Sequence, residues 1–211
     1  MLENEYFKNK FRINSSRLAN WDYGDDGYYF VTICTKDRIC YFGDVADYKM
    51  ILNRVGYIAK NYWRQIPKHF EHVKLDAFIV MPNHIHGIIV INKNKIINDE
   101  MPFIGFNNNE NGRGCGRYYD GRDEALPRLY DDDHNHDGNN ISPKPGSLPV
   151  IIGSFKSIVA KSIHKLNVDF CWQARYHDHI IRDQISLFKI RHYIQDNPRK
   201  WQDDRNFKKN N

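Results

Sequence analysis

Apolar runs along the chain predict four β-strands. Residues 28–35 are nearly apolar throughout and are bounded by turn residues, which predicts a central first strand. Residues 73–81 and 85–92 flank a Pro-Asn pair and predict a hairpin of two strands. Residues 170–182 alternate between apolar and polar side chains, which predicts a fourth strand.

Three segments show the spacing of amphipathic helices. Across residues 46–70 apolar side chains recur every three or four positions, and this helix is expected to end near Pro67. Residues 150–166 repeat the pattern, and Pro149 occupies a position that suits the first turn of a helix. Residues 186–196 predict a third helix.

The predicted order is β-α-β-β-α-β followed by one further helix. This order is the split βαβ arrangement of ferredoxin-like folds, in which two helices cover one face of an antiparallel four-stranded sheet. The chain is therefore predicted to be an α+β protein with a ferredoxin-like sheet. Its last helix is expected to meet the opposite face of that sheet.

Composition divides the chain around this core. Residues 27–93 and 149–201 are predicted to form a single domain, preceded by a polar arm at 1–26 and followed by a polar tail at 202–211. Residues 94–148 lack apolar periodicity and are rich in Gly, Asn and Asp, so they are predicted to be a mobile insertion that catalysis does not need.

Charge is distributed unevenly along the chain. The net charge is +3 over residues 1–93, −4 over 94–150 and +6 over 151–211. A basic core beside an acidic insertion is expected of a protein that meets a polyanion, although a solvated basic surface would give the same count.

The sequence also bears on compartment and class. No window of about 18 apolar residues is present, and the first residues lack the cationic and then apolar order of a signal peptide, so a cytoplasmic protein without a membrane segment is expected. The four cysteines show no Cys-x-x-Cys spacing, which argues against a zinc knuckle.

Two histidines open the third predicted strand. His84 and His86 occupy alternate positions, so their side chains should project from one face with Cβ atoms roughly 6–7 Å apart, while Ile85 points into the opposite layer. Two neutral imidazoles placed in this way could bind one divalent cation. The chain holds two other His-x-His pairs, at 134/136 in an acidic run and at 177/179, and exposed polar positions on a strand remain the ordinary alternative.

The last predicted helix carries a second pair of polar groups. Tyr193 and Asn197 are four residues apart, so a phenol and an amide would lie on one face of this helix. Tyrosine at the edge of a core and asparagine as a helix stop before Pro198 are the common structural alternatives.

Together these stretches resemble the HUH single-tyrosine transposases, and most closely the branch of REP-associated tyrosine transposases. The resemblance covers roughly residues 17–93 and 149–201 and leaves out the acidic insertion. The stretches that carry it are Trp21-Asp22-Tyr23, residues 29–35, Met81-Pro82-Asn83-His84-Ile85-His86-Gly87, Trp172-Gln173 with residues 178–182, and Tyr193-Ile194-Gln195-Asp196-Asn197-Pro198.

The resemblance implies a role for each matching residue. His84 and His86 would be the metal-binding histidines, and Tyr193 would be the nucleophile. Asn197 lies where related transposases often carry a glutamine that completes the metal site. The cation implied is Mg²⁺ or Mn²⁺, whereas histidine ligation by itself would equally suit zinc.

The implied reaction is the cleavage and transfer of single-stranded or hairpin DNA. A phenol with an ordinary pKa near 10 is a weak nucleophile, which a cation beside the phosphate would help. The family forms a 5′-phosphotyrosine intermediate and frees a 3′ hydroxyl, which later rejoins strands. The sequence leaves open whether the protein acts as a monomer or a homodimer.

Basic residues in the second half of the chain are candidate phosphate contacts. They are Lys156, Lys161, Lys165, Arg175 and Arg182. Two other classes remain possible from the residues: a DNA-hairpin-binding descendant that has lost catalysis, and a metal-dependent hydrolase that uses the histidines without the tyrosine.

Overall fold

The structure, a computed structural model, describes residues 21–94 and 143–203 and two short strands near the N-terminus. In chain order its elements are β1 (Tyr6–Phe7), β2 (Lys10–Phe11), β3 (Gly27–Cys34), β4 (Gly43–Ala46), β5 (Lys49–Leu52), α1 (Arg54–His69), β6 (Val73–Val80), β7 (His84–Ile91), α2 (Leu148–His164), β8 (His177–Ile181) and α3 (Gln184–Asp196). Most of the predicted insertion, at residues 95–142, lies outside the described residues. So do residues 204–211 of the predicted tail and most of the predicted arm.

Four strands form one antiparallel sheet in the order β6-β7-β3-β8. The two central strands, β3 and β7, are apolar along most of their length, and β7 is buried at every position. This order and the two helices that connect the strands confirm the predicted α+β, ferredoxin-like architecture.

The sheet separates two apolar layers. On one face, α1 and α2 pack against the sheet, and Trp63 and Phe155 belong to the same core cluster as Ile85 of β7. On the other face, Leu187 of α3 belongs to a smaller cluster with Phe30 of β3. None of the helices within these described ranges is long and apolar enough to cross a membrane.

Gly87 allows α1 to approach the central strand closely. A Cβ atom at this position would lie 2.3 Å from a ring carbon of Trp63, far inside van der Waals contact. Because Gly87 directly follows His86, the absence of a side chain here fixes how deeply α1 packs against the strand that carries both predicted metal-binding histidines.

The first predicted helix is wrong at its start. Residues 43–52 form the small hairpin of β4 and β5, which turns at Asp47 and Tyr48 with φ values of 48° and 60°. Helix α1 begins only at Arg54, because the Asn53 side chain caps it by accepting a hydrogen bond from the Gly56 amide at 3.0 Å. Ile51, which the helical spacing placed on the apolar face, is 58% exposed in β5.

The fourth predicted strand is much shorter than residues 170–182. Regular pairing with β3 covers only His177–Ile181, and Trp172 contributes one isolated bridge to Thr35. Phe170 is buried and Trp172 packs beside it in the helix-side core, so the preceding segment follows the core surface instead of the sheet. Lys156 anchors this segment by donating to the carbonyls of Gln173 and Ala174.

Both ends of the undescribed stretch 95–142 are attached to the same end of the sheet. The Asp26 carboxylate accepts hydrogen bonds from the backbone amides of Lys93 at 2.7 Å and Asn94 at 3.1 Å. Across the gap, the His72 ring donates to the Gly146 carbonyl at 2.9 Å. The chain therefore leaves and re-enters the domain at the end of β7 that is far from His84.

Candidate active site

The two histidines of β7 lie side by side on the α3 face of the sheet. Both rings are fully buried, with 0% exposure, and their centroids are 4.4 Å apart at an interplanar angle of 69°. Ile85 between them packs into the other layer, in the helix-side core. The alternation of the strand thus brings both imidazoles to one place.

A hydrogen bond on Nδ1 orients the ring of His84. Nδ1 lies 2.9 Å from Oδ1 of Asn83, and Nδ2 of Asn83 donates to the Arg38 carbonyl at 2.9 Å, which turns the amide oxygen toward the ring. An oxygen that only accepts requires the proton on Nδ1. This arrangement places the lone pair of a neutral His84 ring on Nε2.

The ring of His86 is held between a threonine and the predicted nucleophile. Its Nδ1 lies 2.9 Å from Oγ1 of Thr32, and its Nε2 lies 3.2 Å from the hydroxyl of Tyr193. Phe30 stacks on the same imidazole, with centroids 5.4 Å apart, and meets Tyr193 edge-on at 6.1 Å. Histidine and tyrosine are therefore packed against the same aromatic ring.

Helix α3 positions Tyr193 beside His86. Asp183 caps its first turn by accepting from the Ser186 amide at 2.8 Å. Hydrogen bonds from the Ser186 hydroxyl and then from this amide lower the pKa of the Asp183 carboxyl. Arg191 ties α3 to β6 through a bidentate ion pair with Asp76, in which Nε lies 2.8 Å from Oδ1. Hydrogen bonding to the Asp76 carboxylate raises the pKa of the guanidinium. Tyr193 itself is 37% exposed, so part of this residue is accessible from solvent while its hydroxyl contacts His86.

Two further residues near the end of α3 are buried, and one of them covers His84. Asn197 terminates α3 one turn beyond Tyr193, and only 1% of it is exposed. Trp201, which the sequence did not single out, is 8% exposed and lies over His84 with ring centroids 5.8 Å apart. An indole over an imidazole excludes water from that side of the ring.

The donor set suits a divalent cation in type. Among residues 21–94 and 143–203, no three His, Cys, Asp or Glu side chains form a metal cluster. The ligands that the resemblance implies are the two imidazoles and the amide oxygen of Asn197. Metal-bound histidines commonly donate their second ring nitrogen to an oxygen, as His84 does to Asn83. Carbonyl and imidazole donors together are compatible with Mn²⁺ and, less readily, Mg²⁺.

The predicted phosphate contacts lie in several places. Lys156 and Lys161 are on α2, and Lys165 directly follows it; this helix packs on the face of the sheet opposite to the histidines. Lys156 donates to the carbonyls of Gln173 at 2.6 Å and Ala174 at 3.4 Å, and burial lowers its pKa. This lysine therefore already holds the segment before β8.

The two arginines of that set follow in the next stretch of chain. Arg175 is exposed in the segment before β8. The Arg182 guanidinium lies 5.9 Å from the centroid of Trp21, at the end of β8. DNA contact by any of the five basic residues stays a prediction.

Sequence reasoning missed Thr32 and gave Asn83 no role. Thr32 faces His86 only because β3 and β7 pair in one register, which the sequence does not reveal. For Asn83 a signal existed, since an amide directly before the first histidine can reach that ring. Such a side chain in the Pro-Asn turn is normally explained by the turn alone.

The chain belongs to the same family as an uncharacterized protein of Haemophilus influenzae, to which it is 35% identical over 192 residues, or 90% of each chain. No protein-family profile matches the sequence. Among solved structures, the chain is similar to a REP-associated tyrosine transposase bound to a REP hairpin, with 15% identity, a TM-score of 0.47 and coverage of 90% of this chain and 74% of that one. It is also similar to a candidate transposase of Deinococcus radiodurans R1, with 13% identity, a TM-score of 0.38 and coverage of 87% and 96%.

Proposed function

We propose that this protein cleaves and rejoins single-stranded DNA, with Tyr193 as the nucleophile and a divalent cation held by His84, His86 and Asn197. The observation that carries the proposal is the 3.2 Å contact between the Tyr193 hydroxyl and His86, in a site where both histidines are buried and the phenol is partly exposed. A nucleophile beside an oriented imidazole, itself held by a third group, is the arrangement of covalent catalysis.

In the proposed reaction the Tyr193 oxygen attacks a phosphodiester phosphorus. A bond from the tyrosine oxygen to phosphorus forms and the bond from phosphorus to the 3′ oxygen breaks, which leaves the 5′ phosphate on the enzyme. The phenol loses its proton and the departing 3′ oxygen takes one up. Attack by a 3′ hydroxyl on this linkage reverses the step and joins strands without an external energy source.

The protein's own residues orient the reacting groups. Phe30 packs against both rings and limits their rotation, and Thr32 holds His86 from the side opposite to the tyrosine. The Asn83 contact points Nε2 of His84 away from the turn. When bound, a divalent cation would supply stabilisation of the phenolate and of charge on the phosphoryl oxygens.

The substrate follows from the openness of the tyrosine and from the resemblance described above. Single-stranded DNA can bring a phosphodiester to a partly exposed phenol on the face of a sheet, whereas a duplex holds its phosphates on a stiff, wide cylinder. A folded hairpin with an adjoining single strand would meet the same requirement. The net positive charge of the flanking parts of the chain favours a polyanionic partner.

The test uses oligonucleotides from repeats that flank the gene, labelled at either end and incubated with Mn²⁺ or Mg²⁺. A 3′ label should become linked to protein in a denaturing gel, while a 5′ label should appear in a shorter free fragment. Tyr193→Phe should abolish the adduct, and mass spectrometry should locate the phosphate on Tyr193. Tyr48→Phe, at an exposed turn 72% accessible, is the matched control.

The same experiment separates the competing classes. Free fragments without a protein adduct, formed equally by Tyr193→Phe, would indicate a metal-dependent hydrolase and contradict the proposal. Hairpin binding without any cleavage would indicate a protein that has lost catalysis.

A further inference from the structure

A second pair of histidines continues the active-site face of the sheet. Thr32 of β3 pairs with His86 on one side and with His177 of β8 on the other, so the three residues form one row across the strands. Phe30 pairs in the same way with His179. Directly paired residues have Cβ atoms about 5 Å apart on the same face, so both β8 histidines border residues that contact the candidate site.

Helix α3 leaves this half of the face open. Its Arg191 is tied to Asp76 at the β6 edge, and Tyr193, two residues later, lies roughly 200° further around the helix. The side chain of Tyr193 therefore points away from the β6 edge and toward the inner strands, which agrees with its contacts to His86 of β7 and Phe30 of β3. His177 and His179 are exposed, whereas His84 and His86 are fully buried.

We propose that His177 and His179 bind the phosphate backbone of the strand that Tyr193 attacks, on the side where that strand crosses β8. This inference rests on the proposed function. Imidazole N–H groups donate to phosphate oxygens in either protonation state, and contacts of this kind fix the position of a nucleic acid without reading its bases. Because His177 and His179 occupy alternate positions of one strand, each would donate to one of two neighbouring phosphate groups of the DNA backbone.

A phosphate backbone suits this pair better than a second cation. Within the described ranges no third His, Cys, Asp or Glu side chain joins the two histidines in a metal cluster. The residue between them, Asp178, projects to the other face of the strand, because neighbouring positions alternate. Two exposed imidazoles without a third donor make a poor metal site but adequate hydrogen-bond donors.

The test measures binding without cleavage. In a Tyr193→Phe background with chelator present, a fluorescent single-stranded oligonucleotide is titrated and its anisotropy is followed. The double change His177→Ala and His179→Ala should weaken binding about tenfold, as expected for the loss of two solvent-exposed hydrogen bonds at the low end of their usual contribution. His177→Asn and His179→Asn, which keep an N–H donor, should restore part of that loss. His69→Ala, at an exposed histidine ending α1 on the opposite face, should bind like the parent.

The outcomes separate this inference from the proposed function. If wild-type protein forms the tyrosine adduct while the double alanine variant binds the strand as tightly as its parent, the phosphate role of β8 is overturned and the proposed function stands. If Mn²⁺ binds to His84→Ala/His86→Ala protein and this binding needs His177 and His179, the pair is a metal site and the inference is likewise overturned. Absence of an adduct with wild-type protein would instead contradict the proposed function.

Discussion

The hydroxyl of Tyr193 lies 3.2 Å from Nε2 of His86, the ring nitrogen that faces the proposed cation site. One imidazole nitrogen has a single lone pair or a single proton, so it cannot engage the phenol and a cation at once. Cation binding at His86 therefore requires the phenol to leave this nitrogen. The same movement would release the tyrosine oxygen toward a phosphate.

Removing the hydroxyl should therefore strengthen cation binding. Loss of one competing hydrogen bond predicts about fivefold tighter binding of Mn²⁺ to Tyr193→Phe than to wild type. Isothermal titration calorimetry in the absence of DNA measures this, with Tyr57→Phe as a control at a distant exposed tyrosine. Weaker binding by Tyr193→Phe would show that the phenol is a ligand of the cation and not its competitor.

The buried histidine pair should be needed for cleavage but not for DNA affinity. Replacing His84 or His86 by alanine is expected to abolish the adduct and to change single-strand affinity by less than about threefold, because affinity comes from dispersed phosphate contacts. Adduct formation and anisotropy are the measurements. The double change His134→Ala and His136→Ala, in the acidic insertion, should alter neither. Activity that survived loss of 84 and 86 but not of 134 and 136 would place the site elsewhere.

Asn197 should set the cation requirement more than the rate at saturation. Asn197→Ala removes an oxygen donor while both imidazoles remain, so the Mn²⁺ concentration for half-maximal cleavage should rise about tenfold. Asn197→Asp keeps an oxygen at the same place and should require no more cation than wild type. Equal requirements in all three proteins would exclude Asn197 from the cation site.

The ion pair between Asp76 and Arg191 should couple stability to catalysis. The two side chains are only 11% and 14% exposed, so Arg191→Ala leaves a buried carboxylate and should cost about 3 kcal/mol in the free energy of unfolding. Urea denaturation gives this value, and adduct formation should fall because α3 carries Tyr193. Lys200→Ala, which breaks an exposed pair with Asp196, should cost less than about 1 kcal/mol. A loss as small in Arg191→Ala would mean that the pair does not anchor α3.

Alkaline pH should destabilise the fold through Tyr29. This side chain is fully buried, its hydroxyl donates to the Asp25 carbonyl at 2.8 Å, and burial raises its pKa to about 12. Its neutral form therefore stabilises the folded state fully below pH 10, and this contribution declines as pH rises from about 10 through about 12, by about 3 kcal/mol in total. Unfolding free energy measured across this window should fall less steeply in Tyr29→Phe. Some slope should remain, because burial also raises the pKa of Tyr41. An equally steep fall in both proteins would contradict the assignment.

The arrangement of the sheet could be predicted because β3 and β7 are apolar on both faces. Strands that are buried on both faces appear in the sequence as continuous apolar runs. The Pro-Asn turn marks the junction of β6 and β7, so the position of His84 at the start of β7 could be predicted. The hairpin at 43–52 could not be separated from α1 in the same way. Ile51 and Val55 are four residues apart, a helical spacing that here spans a strand and a helix. What decides the boundary is the Asn53 cap, a local hydrogen bond that periodicity does not register.

The candidate site also has a part that the sequence predicts and a part that it does not. The pairing of His84 with His86, and of Tyr193 with Asn197, follows from the repeat of one strand and one helix. Contacts between different elements, such as Thr32 with His86, depend on strand register and on where α3 crosses the sheet. The alternation of residues 170–176 wrongly predicted a strand. Trp172 packs into an aromatic cluster with Phe170 and Phe42, so the direction of its side chain is set by packing and not by sheet pairing.

The two anchors at Asp26 and Gly146 give the domain a natural tether point. They hold the chain where β7 ends, and the eight residues of that strand put roughly 23 Å between this end and His84. Strand β7 thus has two roles, because it carries His84 and His86 near one end and bears the attachment points of residues 95–142 at the other.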